Sequence, residues 1–208
     1  MDIVHLLPFI GASVLLTLMP GPDIIFVIAL SVANGKKAGI STALGLCTGL
    51  IAHTGAATLG VSVIFRNSEL AFNVLKYLGA AYLIYLGIEA LLSKKKSKLN
   101  LDTTGQHQYG KLYLKGIFMN ILNPKVSLFF LAFLPQFVKK DSLSPGLDMM
   151  WLGIIFIIQA ILVFTTVSYL ANWFSARLRT NQSNERYLNW FKALVFFAIS
   201  LQLVFGSF

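Results

Sequence analysis

Charge is scarce in this 208-residue sequence. Only 12% of the residues are charged, where a soluble domain carries about 25%. Ile3 to Pro22, Ala38 to Phe65 and Met149 to Ala176 contain no Asp, Glu, Lys or Arg at all. A soluble fold would have too little polar surface to cover itself, whereas a bilayer span needs roughly 20 mostly apolar residues. Acidic residues are the scarcest, eight against 17 basic ones, for a net charge of +9. In a soluble protein that excess would suggest nucleic acid. Here the basic residues lie mostly between apolar runs, which excludes that reading and points to membrane topology. The lone cysteine, Cys47, excludes an internal disulfide and says little about compartment. The first residues, MDIVHLLPF, lack the basic n-region of a secretory signal, so the first apolar segment is read as a retained span. There is no Cys/His cluster at metal-ligand spacing and no glycine-rich phosphate loop, so no metal or cofactor is expected. A membrane-embedded enzyme would need a catalytic cluster near one face, and the sequence offers none.

What is present is six apolar segments, at about 4–33, 39–65, 70–92, 112–138, 148–174 and 188–207. They predict an all-α, polytopic membrane protein with six transmembrane helices. The hydrophilic stretch 93–111, SKKKSKLNLDTTGQHQYGK, divides it into a three-helix unit at 1–92 and a second at 112–208. Three is odd, so the two units are expected to insert as inverted repeats. Lys36, Lys37, Lys94, Lys95, Lys96, Lys98, Lys111, Lys115, Arg177, Arg179, Arg186 and Lys192 fall on one side of the membrane. Only Arg66, Lys76, Lys139 and Lys140 fall on the other. The bias places the 93–111 linker in the cytoplasm and both termini outside.

Two of the segments break. In TLMPGPDIIF (17–26), Pro20 and Pro22 each remove a backbone donor and Gly21 adds freedom between them. Two half-helices around an unwound turn are expected there, with Asp23 opening the second, where free N–H groups and the helix dipole favour a carboxylate. Asp23 lies about 15 Å from the Ala33 end of its helix. An ionisable group at that depth is a functional candidate by default, although a simple kink with a helix cap is the plain alternative. In FMNILNPKVSLFF (118–130), Asn120 and Asn123 precede Pro124 and Lys125 follows. Asn123 is suited to cap a half-helix that starts at Pro124. Lys125 lies about 20 Å along its span. These breaks fall in the leading spans of the two halves, and interrupted helices at matching positions are the best sequence pointer to a transporter site. Asp23 and Lys125 are expected to pair across the interface of the halves. A zwitterionic amino acid could then replace that pairing. The rival is a non-transporting scaffold or lipid-interacting protein with an inert buried ion pair.

Two further residues are weaker candidates for a proton relay. Glu89 stands near Lys94, where an interfacial ion pair explains it equally well. His53 stands within the second span, where a lone histidine more often bonds a neighbouring helix.

MPGPD (19–23), the GxxxG spacing of GLCTG (45–49), LGAAYLIYLG (78–87), NPK (123–125) and FLPQF (133–137) together resemble the LysE/RhtB family of amino-acid exporters. The resemblance covers essentially the whole chain. It implies secondary transport that exports amino acids and relatives such as homoserine, threonine, lysine or leucine from the bacterial cytoplasm, with the branch that lacks strong cationic specificity the nearer. It also implies a place in the inner membrane, proton coupling and a homodimer. Carried over residue by residue, it marks Pro20, Gly21, Pro22, Asp23, Asn123, Pro124 and Lys125.

Overall fold

The computed structural model describes residues 3–19, 21–61, 69–92, 109–139 and 142–173. All regular structure among them is helical. The helices are α1 (Ile3–Leu18), α2 (Pro22–Asn34), α3 (Lys36–Ala56), α4 (Glu69–Leu92), α5 (Tyr109–Ile121), α6 (Pro124–Leu128) and α7 (Pro145–Trp173). One turn of π-helix, Ala57–Val61, extends α3. A π-turn (Phe129–Phe133) and a 3₁₀ turn (Leu134–Phe137) extend α6. The expected sixth segment, 188–207, lies outside the described residues, as do Pro20 and linker residues 93–108.

Helices α3, continued to Gly60, and α7 are each long and apolar enough to cross a membrane. The pairs α1–α2 and α5–α6 pass the same test as bent spans, with bends of 56° and 50°. Helix α4 has 24 residues, about 36 Å of helix. Its outer positions Leu70, Val74, Leu78, Ile84 and Ile88 are exposed, as hydrocarbon contact requires. The chain is therefore a multi-pass membrane protein.

The connection expected at 34–39 is much shorter in the fold. Helix α2 runs to Asn34 and α3 starts at Lys36, with Gly35 alone between them. Gly35 has φ +84°, a region open to glycine and strained for other residues. The lysines expected in a loop thus belong to α3, and the Lys36 ammonium rests 4.6 Å from the centre of the Tyr169 ring. Likewise α5 begins at Tyr109, three residues before the expected start of the fourth segment.

Helix α3 lies at the centre, packed against α5, α7 and α2. Apolar attraction cannot drive helices together in lipid, so close backbone approach must do it. A methyl group on Gly45 would strike the Tyr113 carbonyl, and one on Gly116 would strike the Thr42 carbonyl. Phe9, Phe129, Phe130, Phe133, Phe137 and Phe156 form an interlocked aromatic cluster, with ring centroids of touching pairs 4.8–6.4 Å apart. The cluster anchors α6 and its extensions against α1 and α7.

Candidate functional site

In an α-helix each carbonyl bonds the N–H four residues further on. Leu16 precedes Pro20 by four and Leu18 precedes Pro22 by four, so the sequence itself releases both carbonyls. The last regular bond of the first half-helix runs from Met19 N to Leu15 O, at 2.9 Å. Gly21 is extended (φ −151°, ψ −178°), and Pro22 opens α2 where its missing N–H costs nothing. Gly21 O accepts from Ile25 N at 3.1 Å. Asp23 then falls in the first turn of α2, only 4% exposed.

The second break follows the same logic. Asn120 precedes Pro124 by four, and its carbonyl is released. It accepts instead from Asn123 N at 2.9 Å and contacts His53 Nε2 at 3.1 Å. A carbonyl only accepts, so Nε2 of His53 carries the hydrogen. Asn123 caps α6 as expected: its Oδ1 accepts from Lys125 N at 3.0 Å. Its carbonyl accepts from Val126 N and Ser127 N, both at 3.1 Å.

Side chains join the two breaks. Lys125 reaches from α6 to the frayed end of α1, where its Nζ donates to Leu16 O (3.1 Å) and Met19 O (3.5 Å). Asn120 Nδ2 donates to Asp23 Oδ2 at 3.3 Å. Each charge meets the helix end that suits it, the ammonium at a C-terminal end and the carboxylate at an N-terminal one. Gly21 makes room for the lysine, since a Cβ there would lie 3.3 Å from Nζ. The Asp23 carboxylate and the Lys125 ammonium, expected from the sequence to pair, act on each other electrostatically, and each is also held by these bonds to uncharged groups. The two groups line one cavity with Leu16, Thr17, Leu50, Asn120, Val126, Phe156 and Phe164. Its volume is about 20 Å³, room for about one water. Asp23 Oδ1, Asn120 Oδ1 and Asn123 Nδ2 are buried without hydrogen-bond partners among the described residues.

Gly21, Pro22, Asp23, Asn120, Asn123, Pro124 and Lys125 thus come together where the half-helices meet. Pro20 lies outside the described residues. His53 stands at the edge of the site, 8% exposed, with its ring 5.8 Å from that of Phe130. Glu89 belongs to α4, and its side chain lies outside the described residues. Sequence reasoning missed Leu16 and Thr17. Their signal was available in the four-residue step back from Pro20 and in the hydroxyl beside it. It also missed Gln159, an amide inside the uncharged run of α7. Gln159 Nε2 donates to Thr17 Oγ1 at 3.0 Å and Ser13 O at 3.4 Å. Its Oε1 has no partner among the described residues.

The description LysE type translocator matches residues 14–207. An uncharacterized membrane protein, YrhP, of Bacillus subtilis (strain 168) is 33% identical over 81% of this chain and 83% of its own. A homoserine/homoserine lactone efflux protein of Salmonella typhimurium is 34% identical over 82% of each chain. A leucine efflux protein of Salmonella choleraesuis is 29% identical over 78% of this chain and 74% of its own. No solved structure matches the chain. The chain therefore belongs to the LysE type translocator family.

Proposed function

We propose that this protein exports a small neutral amino acid or close derivative, of the homoserine, threonine or leucine kind, from the bacterial cytoplasm. The observation that carries the reading is the shared cavity, where Asp23, Asn120 and Lys125 from two different breaks converge. An inert buried ion pair would be expected to have its hydrogen bonds satisfied. Here Asp23 Oδ1 and Asn120 Oδ1 are left over. They suit a ligand that brings its own donors, as an amino acid's ammonium does. The remaining walls, Leu16, Leu50, Val126, Phe156 and Phe164, are apolar apart from the Thr17 hydroxyl. With one carboxylate in the lining, already matched to the ammonium, a second positive charge on the substrate would find no partner. That favours neutral side chains, and it accords with relatives named for homoserine and leucine efflux.

Ligand pockets run roughly 300–1,000 Å³, far above the cavity's about 20 Å³. The site must therefore open to load. Alternating access, with the two proline breaks as hinges of inverted halves, supplies that motion. Proton antiport drives it in this reading, the loops rich in lysine face the cytoplasm, and the working unit is a homodimer. Counterflow in proteoliposomes with a panel of labelled amino acids tests the proposal. Exchange of one or a few neutral amino acids is expected, and no exchange across the whole panel would rule it out.

A further inference from the structure

The Lys125 ammonium occupies an unusual place. It is 7% exposed and sits on the carbonyls of Leu16 and Met19. The Leu16 carbonyl is available because Pro20 cannot bond it. Unwound carbonyls at the end of a half-helix are the groups that hold coupling cations in transporters built from broken helices. An amino acid carries the same cationic group as lysine, a primary ammonium that donates three hydrogens and wants carbonyl and carboxylate oxygens around it. Asp23 Oδ1, unpartnered among the described residues, lines the same cavity and supplies that carboxylate.

We propose that Lys125 is the protein's built-in coupling cation, and that its ammonium and the substrate's ammonium compete for one cradle formed by the Leu16 and Met19 carbonyls beside Asp23. The inference rests on the export reading above. When the zwitterion enters from the cytoplasm, its ammonium takes the cradle. Lys125 leaves it and gives up one proton to cytoplasmic water, becoming a neutral amine. After the amino acid departs outward, the amine takes one proton from external water and returns to the carbonyls. One proton moves in for each zwitterion that moves out, and the cradle holds one positive charge in either state. Antiport then follows from mutual exclusion, without a separate ion site.

Other titratable groups surround this one. Asp23 faces it from α2, His53 on α3 acts in turn on Asp23, and Cys47 on α3 is buried close to Asp23. The cavity residues of α1 and α7 (Leu16, Thr17, Phe156 and Phe164) carry no charge, and the Glu89 side chain on α4 lies outside the described residues. The test must therefore assign the proton as well as count it.

The full-length protein in detergent is titrated with L-homoserine and with L-leucine, in two buffers of different ionisation enthalpy. The work is done at about pH 6–7, below the ordinary α-amino range. The wild type is expected to release one proton per amino acid bound, and its Kd to fall about tenfold for each unit of rising pH. In Lys125→Gln the proton count is expected to drop to zero and the pH dependence to vanish. In His53→Gln the count stays at one. A wild type that binds without releasing a proton overturns the proposal even if the lysine variant fails to fold. So does a count that follows His53 or Asp23 instead of Lys125. So does concentrative transport driven by a sodium gradient. If neither amino acid binds and the counterflow panel is also silent, the export reading itself has failed. Counterflow without proton release removes only the coupling by Lys125.

Discussion

Asn120 Nδ2 donates to Asp23 Oδ2 at 3.3 Å, tying the last turn of α5 to the first turn of α2 across 97 residues of sequence. The bond leaves Asp23 Oδ1 uncommitted while holding the carboxylate toward the cavity. Both residues are nearly inaccessible, at 4% and 2% exposed. Their arrangement gives a first prediction.

Asp23→Asn keeps the size of the side chain and removes its charge. A hydrogen bond to a charged group contributes roughly 1.5–3 kcal/mol, which corresponds to about 10- to 100-fold in binding. Counterflow by Asp23→Asn is expected to fall by at least that factor, while insertion and thermal stability hold. Asn120→Ala frees the carboxylate and should raise KM more than it lowers the maximal rate. Full activity in both variants would remove Asp23 from the site.

The proline breaks make a prediction in which stability and activity part company. A continuous helix through residues 17–26 must place Pro20 and Pro22 in its interior, at about 3 kcal/mol each relative to alanine. Pro22→Ala lowers that barrier and returns an N–H to the Leu18 carbonyl. The double variant Pro20→Ala/Pro22→Ala also returns one to Leu16, the carbonyl Lys125 now holds. Transport in vesicles should decline in the single variant and disappear in the double, while the melting temperature rises or stays level. Wild-type rates in the double variant would show that the break has no part in transport.

These two predictions draw on what the sequence made legible and what it did not. The positions of the breaks were readable because proline acts on its own chain. A missing N–H frees a carbonyl four residues back whatever the rest of the fold does. The capping of α6 by Asn123 was readable for the same local reason. The hydrogen bonds of Lys125 were not. Opposite charges suggested Asp23, which does act on the ammonium electrostatically, but a buried ammonium needs several oxygens, and the frayed end of α1 supplies two carbonyls beside it. Gln159 stayed hidden because an amide in an apolar span serves helix packing as readily as a site. The one-residue link at Gly35 was missed because Lys36 and Lys37 looked like loop residues, whereas the fold packs the Lys36 ammonium on Tyr169 and bonds the Lys36 carbonyl to Ser168 Oγ.

Helix contacts around α3 give a prediction about stability. Gly45 and Gly116 face backbone carbonyls of the opposing helix, which cannot rotate away as a side chain can. Gly45→Ala and Gly116→Ala are each expected to destabilise the detergent-solubilised protein by about 1–3 kcal/mol. Gly11, with no atom within 4 Å of an added Cβ, is the control, and Gly11→Ala should be neutral. Thermal unfolding followed by helix signal separates the three. Equal melting temperatures would mean that α3 and α5 do not approach as described.

Gly49 connects this packing to the cavity. A Cβ at Gly49 would lie 2.8 Å from both Cβ and Oδ1 of Asn120. Gly49→Ala should therefore displace Asn120 from Asp23 and raise KM, reproducing the Asn120→Ala phenotype by a different route. The double variant Gly49→Ala/Asn120→Ala should then be scarcely worse than either single one, because both act on the same bond. Additive losses would place the effect of Gly49 elsewhere.

The Thr17–Gln159 pair supports the cavity wall from α7. Thr17 Oγ1 donates to Ser13 O at 2.8 Å and accepts from Gln159 Nε2 at 3.0 Å. Thr17→Val keeps the shape of the side chain but leaves Gln159 Nε2 with only the 3.4 Å contact to Ser13 O. An unsatisfied buried donor costs roughly 1–3 kcal/mol, whereas replacing both partners by apolar groups can be nearly neutral. Thr17→Val alone is thus expected to lower stability, and Thr17→Val/Gln159→Leu to recover most of the loss. Thr17 also lines the cavity, and its hydroxyl retains acceptor capacity beyond these two bonds. Its removal in the stable double variant should weaken transport of hydroxylated amino acids relative to aliphatic ones of equal size. Competition of L-threonine against L-valine in counterflow reads this ratio, and an unchanged ratio would confine Thr17 to a packing role.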